Sequence, residues 1–193
     1  MSGGEERHKV YQTSPEGDEK LLTQCMKWRD QALRKDRTVQ FMFQSLARAG
    51  CTMPTERVWC EHCSPSLSGG YRPDGSVTLC SNNVFSQKHV AETMVHELIH
   101  AFDDCRAHIE WNNCEHLACS EVRAAALSGD CRFLNEIQRG NISIAGQFKR
   151  CVRRRAELSI KMSPACKATT TVATVDKVFN ACLKDTEPFE RIP

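Results

Sequence analysis

The chain predicts an α+β fold, mostly helical with a small antiparallel sheet. Three observations carry that expectation. Apolar residues recur at helical spacing over most of the chain. One stretch, 51–83, breaks the rhythm with short runs containing valine and threonine, set between glycine and proline turns. The 193 residues show no internal repeat, which suits one domain with its own core, expected over 21–193.

Residues 1–20 are polar and mixed in charge, and include Gly3, Gly4, Pro15 and Gly17. They read as a disordered tail, with no apolar signal-peptide core and too many acids for a typical mitochondrial presequence. From Leu21 to Ala49, the residues Leu22, Met26, Leu33, Phe41, Phe43 and Leu46 supply one apolar helical face, and Gly50 suits the helix end. Arg57 to Cys60 and Ser76 to Cys80 read as strands, with Gly69-Gly70 and a Pro73-Asp74-Gly75 turn between them. Ser86 suits the cap of a helix running to about Cys105. Arg106 to Asn113 is a connecting loop with Trp111 as its anchor, and Cys114 to Ser128 is a second helix closed by Gly129. Two further helices are expected near Asn141 to Met162 and Thr171 to Asp185, divided at Pro164.

The net charge of +2 calls for neither nucleic acid nor an acidic membrane as a partner. No apolar run approaches the length of a membrane span. Twelve cysteines are spread over the domain. That density fits disulfides in an oxidising space entered without a cleavable signal, such as the mitochondrial intermembrane space; reduced cytosolic thiols with metal sites fit equally. Cys60-x-x-Cys63 has the spacing of half a zinc ribbon, but no second such pair completes it, and disulfides or free structural thiols rank ahead of a structural zinc there.

His96-Glu97-Leu98-Ile99-His100 is the run that carries chemistry. Four residues make just over one helical turn, so both imidazoles lie on one face. Two neutral imidazoles so placed can bind one Zn²⁺, with Glu97 beside the reacting water as general base. Ala91, Met94, Val95, Leu98 and Phe102 fall on the opposite, core-seeking arc, and Asp103 continues the histidine face. A hydrolytic zinc needs a third protein ligand. Glu121, on the following helix, resembles the third ligand of gluzincins, with Ala124 and Ala125 small enough to let that helix approach. His116 resembles the third histidine of Spartan-type proteases. Asp103 is a third option, better placed to orient an imidazole from behind. Glu121 ranks first, and the alternatives stay open. His108, Arg106 and Tyr71 are candidate donors to a developing oxyanion. Val77 to Cys80 is a candidate edge strand for an extended peptide, or else a plain structural strand.

The blocks His96 to Asp103, His116 to Ala125 and Leu127 to Cys131, with Cys60, Cys63, Gly69-Gly70 and Cys80-Ser81-Asn82 upstream, resemble a specific family. It is the family of mitochondrial inner-membrane metalloproteases of ATP synthase biogenesis, also called Ku-binding proteins in animals. The resemblance spans roughly Leu21 to Pro193. It implies a zincin-like metalloprotease domain that is disulfide-rich, sits at the inner membrane on the intermembrane-space side, and binds zinc. It also implies a membrane subunit of ATP synthase as substrate, assembly partners at the inner membrane, and peripheral membrane contact. Two other functions remain in view: a non-proteolytic ATP synthase assembly factor, and a nuclear Ku-associated DNA-repair partner. Local support for the latter is the basic run Lys149 to Arg155, which more often marks a solvated helix face than a nucleic-acid surface; in an inner-membrane protein it suits anionic lipid headgroups instead.

Overall fold

The computed structural model describes residues 15–65, 67–142, 145–166 and 171–193. Residues 1–14, most of the stretch read as a disordered tail, lie outside the described residues. Residues 15–20 are helical instead, because α1 runs Pro15–Lys35. Proline is pre-set for a first helical position, Glu16 and Asp18 complement the positive end of the helix, and Lys20 pairs with Glu16 one turn away at 3.0 Å.

The single helix expected over 21–49 is two. Asp36 interrupts it, its carboxylate accepting the Thr38 and Val39 amides at 2.9 and 3.0 Å to cap α2, Arg37–Arg48. Gly50 follows α2 at φ +89, a conformation glycine adopts without strain.

Three strands follow: β1 Val58–Glu61, β2 Gly69–Tyr71 and β3 Val77–Cys80, in the order β1-β3-β2. The sheet is mixed, not wholly antiparallel. Gly69 to Tyr71, read from sequence as part of a connection, is itself a strand. It pairs antiparallel with β3 across the Pro73-Asp74-Gly75 turn, and β1 joins the other side of β3 in parallel. β3 is therefore central and buried along its length, the plain structural strand of the two readings and not an edge. β2 is an edge.

α3, Gln87–Ala107, is capped by Ser86, whose hydroxyl accepts the His89 amide. α4, Cys114–Leu127, is capped by Asn113. The sequence reading missed α5, Phe133–Gln138. α6 is Gln147–Met162, starting later than expected because Gly146 holds φ +66 ahead of it, and α7 is Thr171–Lys184. Every residue of α4 from Ser120 to Leu127 is buried, so this helix is the axis of the core, surrounded by α3, α6 and α7. α3 packs its Met94, Val95, Leu98 and Phe102 face into the same core.

All twelve cysteines are paired: 25–60, 51–105, 63–80, 114–166, 119–182 and 131–151. Cys60 and Cys63 bond to different partners, which removes the half zinc ribbon. The basic run on α6 is largely spent inside the molecule: Arg153 pairs with Asp176, Arg154 with Glu136 and Arg155 with Asp130. No helix among the described residues is long and apolar enough to cross a membrane.

Candidate metal centre

α3 presents His96 and His100 to one side, and α4 crosses beside it carrying Glu121. His96 Nε2 lies 3.4 Å from Glu121 Oε2, and His100 Nε2 lies 3.6 Å from Glu121 Oε1. The two rings stand edge to face, 4.9 Å between centroids. Among the described residues this trio forms a potential metal-binding cluster, its donor atoms all within 4.8 Å of one another. Ligands about 2.1 Å from a tetrahedral ion stand about 3.4 Å apart, so the separations fit one ion between them. Glu121 Oε2 is buried and has no hydrogen-bond donor in good geometry, as a carboxylate oxygen aimed at a cation would be.

The proton inventory behind His100 decides which nitrogen is free. Ser120 Oγ donates its single hydrogen to Asp103 Oδ2 at 3.0 Å. At 2.7 Å from His100 Nδ1, the same oxygen must then accept, so Nδ1 carries the proton and Nε2 keeps its lone pair for a metal. Burial also holds His100 neutral, lowering its pKa to about 4. Behind Asp103, the buried Arg123 Nε donates to both carboxylate oxygens at 2.9 and 3.1 Å. Burial pushes the Asp103 carboxyl up, while Arg123 and Arg106 favour its charged form. Arg123 is itself held by the carbonyls of Asp185 and Glu187 beyond α7.

Burial dominates at Glu97, raising its pKa to about 7, although His96 and a hydrogen bond from the Tyr71 amide pull the other way. Glu121 is held far below that. Burial opposes its charge, but His100, His96 and a Ser159 hydrogen bond outweigh the penalty. Two carboxyls side by side thus differ in basicity, one fitted to bind a cation and the other to exchange protons.

These residues line a cleft of about 710 Å³ walled by β2, α3, α4 and α6. β2 approaches α3 closely: a Cβ at Gly69 would meet Thr93 Cγ2 at 2.6 Å and Thr78 O at 2.9 Å. Trp111 anchors its loop here as expected, its ring 5.9 Å from His100 and 5.7 Å from Tyr71.

The other sequence candidates fall elsewhere. His116 is exposed, with Nδ1 accepting the Glu110 amide, and is not part of the trio. Asp103 stands behind His100 and acts through Ser120. Arg106 is bound to Asp185, Glu187 and Asp103. His108 lines a different cleft, around Cys51 and Cys105. Tyr71 lines the metal cleft, but its hydroxyl donates to Asp104 at 2.8 Å, and burial with that contact pushes its pKa up. Ser120, Arg123 and Ser159 were given no role in the sequence reading. Ser120 and Arg123 stand one residue before and two after Glu121, the only signal that could have drawn attention to them.

The comparisons agree with this chemistry. The Peptidase M76 family model matches residues 23–190. The chain is 38% identical to mitochondrial inner membrane protease ATP23 of Mycosarcoma maydis, over 87% of this chain and 90% of that protein. It is 45% identical to the ATP23 homolog of Xenopus laevis, over 80% of this chain and 67% of that one. It is 44% identical to the Homo sapiens homolog, over 80% and 64%. No solved structure matches. The chain therefore belongs to the Peptidase M76 family, as a metallopeptidase of the mitochondrial inner membrane.

Proposed function

We propose that this chain is a zinc endopeptidase, with His96, His100 and Glu121 as metal ligands and Glu97 as general base. We also propose that residues 21–193 form its single catalytic domain, and that it trims and helps assemble a membrane subunit of ATP synthase from the intermembrane-space side. The observation that carries the reading is the convergence of two buried donors and the half-buried His96 within 4.8 Å of one another, beside a buried, weakly acidic Glu97. Two imidazoles and one carboxylate suit zinc among divalent ions. Zinc held there supplies a Lewis acid for the scissile carbonyl and makes water acidic near neutral pH.

The protein's own groups do the rest. Ser120 and Asp103 fix the His100 tautomer. Glu97 takes the proton of the attacking water and returns it to the departing amine. β2, an edge strand along the cleft, offers backbone for an extended peptide. Leu67, Leu117, Leu158 and Met162 line the same cleft and suit an apolar segment. The ATP synthase subunit is the substrate implied by the family resemblance, and six disulfides suit the oxidising intermembrane space.

Glu97→Gln tests the mechanism. The expected outcome is full metal content with hydrolysis lowered by at least about 100-fold, since the base is lost and no ligand is. Metal analysis and a peptide-cleavage assay on the same preparation read both. Undiminished cleavage by Glu97→Gln would overturn the proposal.

A further inference from the structure

α5 is built inside out. Asn135 and Glu136 face inward, 6% and 1% exposed, while Phe133, Leu134 and Ile137 face outward at 42%, 69% and 41%. Ile142, just beyond the helix, is 76% exposed. The inward face is held by polar bonds. Asn135 Oδ1 accepts from Lys88, and its amide donates to Glu92 and to the Gly129 carbonyl. Glu136 takes Arg154 through both oxygens and Arg139 through one. Rolling the helix to bury its apolar side would strand a buried amide and a buried carboxylate, so the fold fixes the apolar side in water. Four large apolar side chains exposed within ten residues are a patch and not the scattered exposure of an ordinary surface.

We propose that this patch, Phe133 to Ile142, docks the protein on an anionic bilayer surface. Three observations favour lipid as the occupant. The family works at the inner membrane, and no described helix is long and apolar enough to cross one. A basic side chain stands beside the apolar ones: Arg132, exposed, directly precedes Phe133 at the start of α5. That pairing of apolar and basic groups is what an interfacial element presents to lipid headgroups. Position also fits. Asn135 bonds Glu92, which lines the metal cleft and stands one helical turn before His96. Docking through α5 brings that end of the cleft to the membrane surface, within reach of a segment emerging from the bilayer. This inference rests on the inner-membrane location and not on the peptidase chemistry.

Flotation of the oxidised full chain with vesicles tests it, using phosphatidylcholine alone and phosphatidylcholine with phosphatidylglycerol in equal parts. The wild-type chain is expected to float with the mixed vesicles and less with the neutral ones. Leu134→Asp combined with Ile142→Asp is expected to lower the bound fraction about tenfold or more. Arg132→Glu is expected to weaken only the binding that depends on anionic lipid. Cleavage of a short soluble peptide should be unchanged in all of them, which separates this test from that of the peptidase reading and confirms folding. Equal flotation of wild type and the double variant, or no flotation of wild type, would overturn the proposal. So would a wild-type dimer that the double variant dissolves, which assigns the patch to a second copy.

Discussion

At His100 the position of a single proton separates a ligand from a bystander. Ser120 settles it, because its hydrogen is committed to Asp103 and its oxygen can only accept. Replacing Glu121 with alanine should release zinc to a chelator far more readily than Asp103→Ala, which disturbs only orientation, or His116→Ala, which removes an exposed ring. Supporting groups of this kind typically cost about 10–100-fold in metal affinity. Metal retention in the three variants reads the order. Loss from His116→Ala with retention by Glu121→Ala would show a three-histidine site instead. Acid should compete with the metal through His96. Burial opposes its protonation, but the Glu121 carboxylate 3.4 Å away and the charge of Glu97 raise its pKa above the ordinary value. A raised pKa means that protons compete for this lone pair from higher pH than at an unperturbed imidazole, so metal affinity should fall as the pH drops through neutrality. A metal affinity, corrected for protonation of the chelator, that is the same at about pH 8 and about pH 6 would contradict this.

Among the elements, β2 is the smallest and the most constrained. It works because Gly69 has no side chain to hold it off α3. Gly69→Ala must push the strand away from Thr93 or bend it out of its pairing with β3, at a cost of about 1–3 kcal/mol. The same shift would disturb Glu97, since the Tyr71 amide bonds it. The expected result is a lower melting temperature together with a lower kcat/KM. A variant with both values unchanged would show that β2 does not bear on the site. This strand also explains a missed element. Gly-Gly-Tyr carries no period-two apolar pattern, so local sequence marks it as a connection, and only pairing with β3 makes it a strand.

For the molecule as a whole, the metal site is tied to the end of the chain. Arg123 crosses the core from Asp103, next to the histidines, to the backbone of Asp185 and Glu187. Its burial leaves no route for water to replace those partners. Arg123→Met should destabilise the fold by about 3–5 kcal/mol, because the buried Asp103 loses its nearest cation and keeps only Arg106 at 3.4 Å. It should also speed zinc loss, read by thermal unfolding and by chelator-driven release. Unfolding at the wild-type temperature with wild-type zinc retention would refute the link. Disulfides 119–182 and 114–166 brace the same region, joining α4 to α7 and to the segment before it, each closed loop contributing on the order of 2–4 kcal/mol.

The sequence by itself determined the motif helix, its capping serine, its two faces and the second helix, because each follows from spacing within about four residues. It also narrowed the third ligand to three candidates, with Glu121 ranked first. Only the tertiary structure brings Glu121, and neither His116 nor Asp103, into the cluster with the two histidines, since that depends on how α4 rotates against α3. It alone exposed the roles of Ser120 and Arg123, which look like ordinary helix positions until Asp103 and the carbonyls near the C-terminus arrive from elsewhere in the chain. The same holds for the cysteines, whose partners lie 17 to 63 residues apart. Local chemistry is written in neighbouring residues; metal geometry, strand order and cross-links depend on distances that only the packed chain defines.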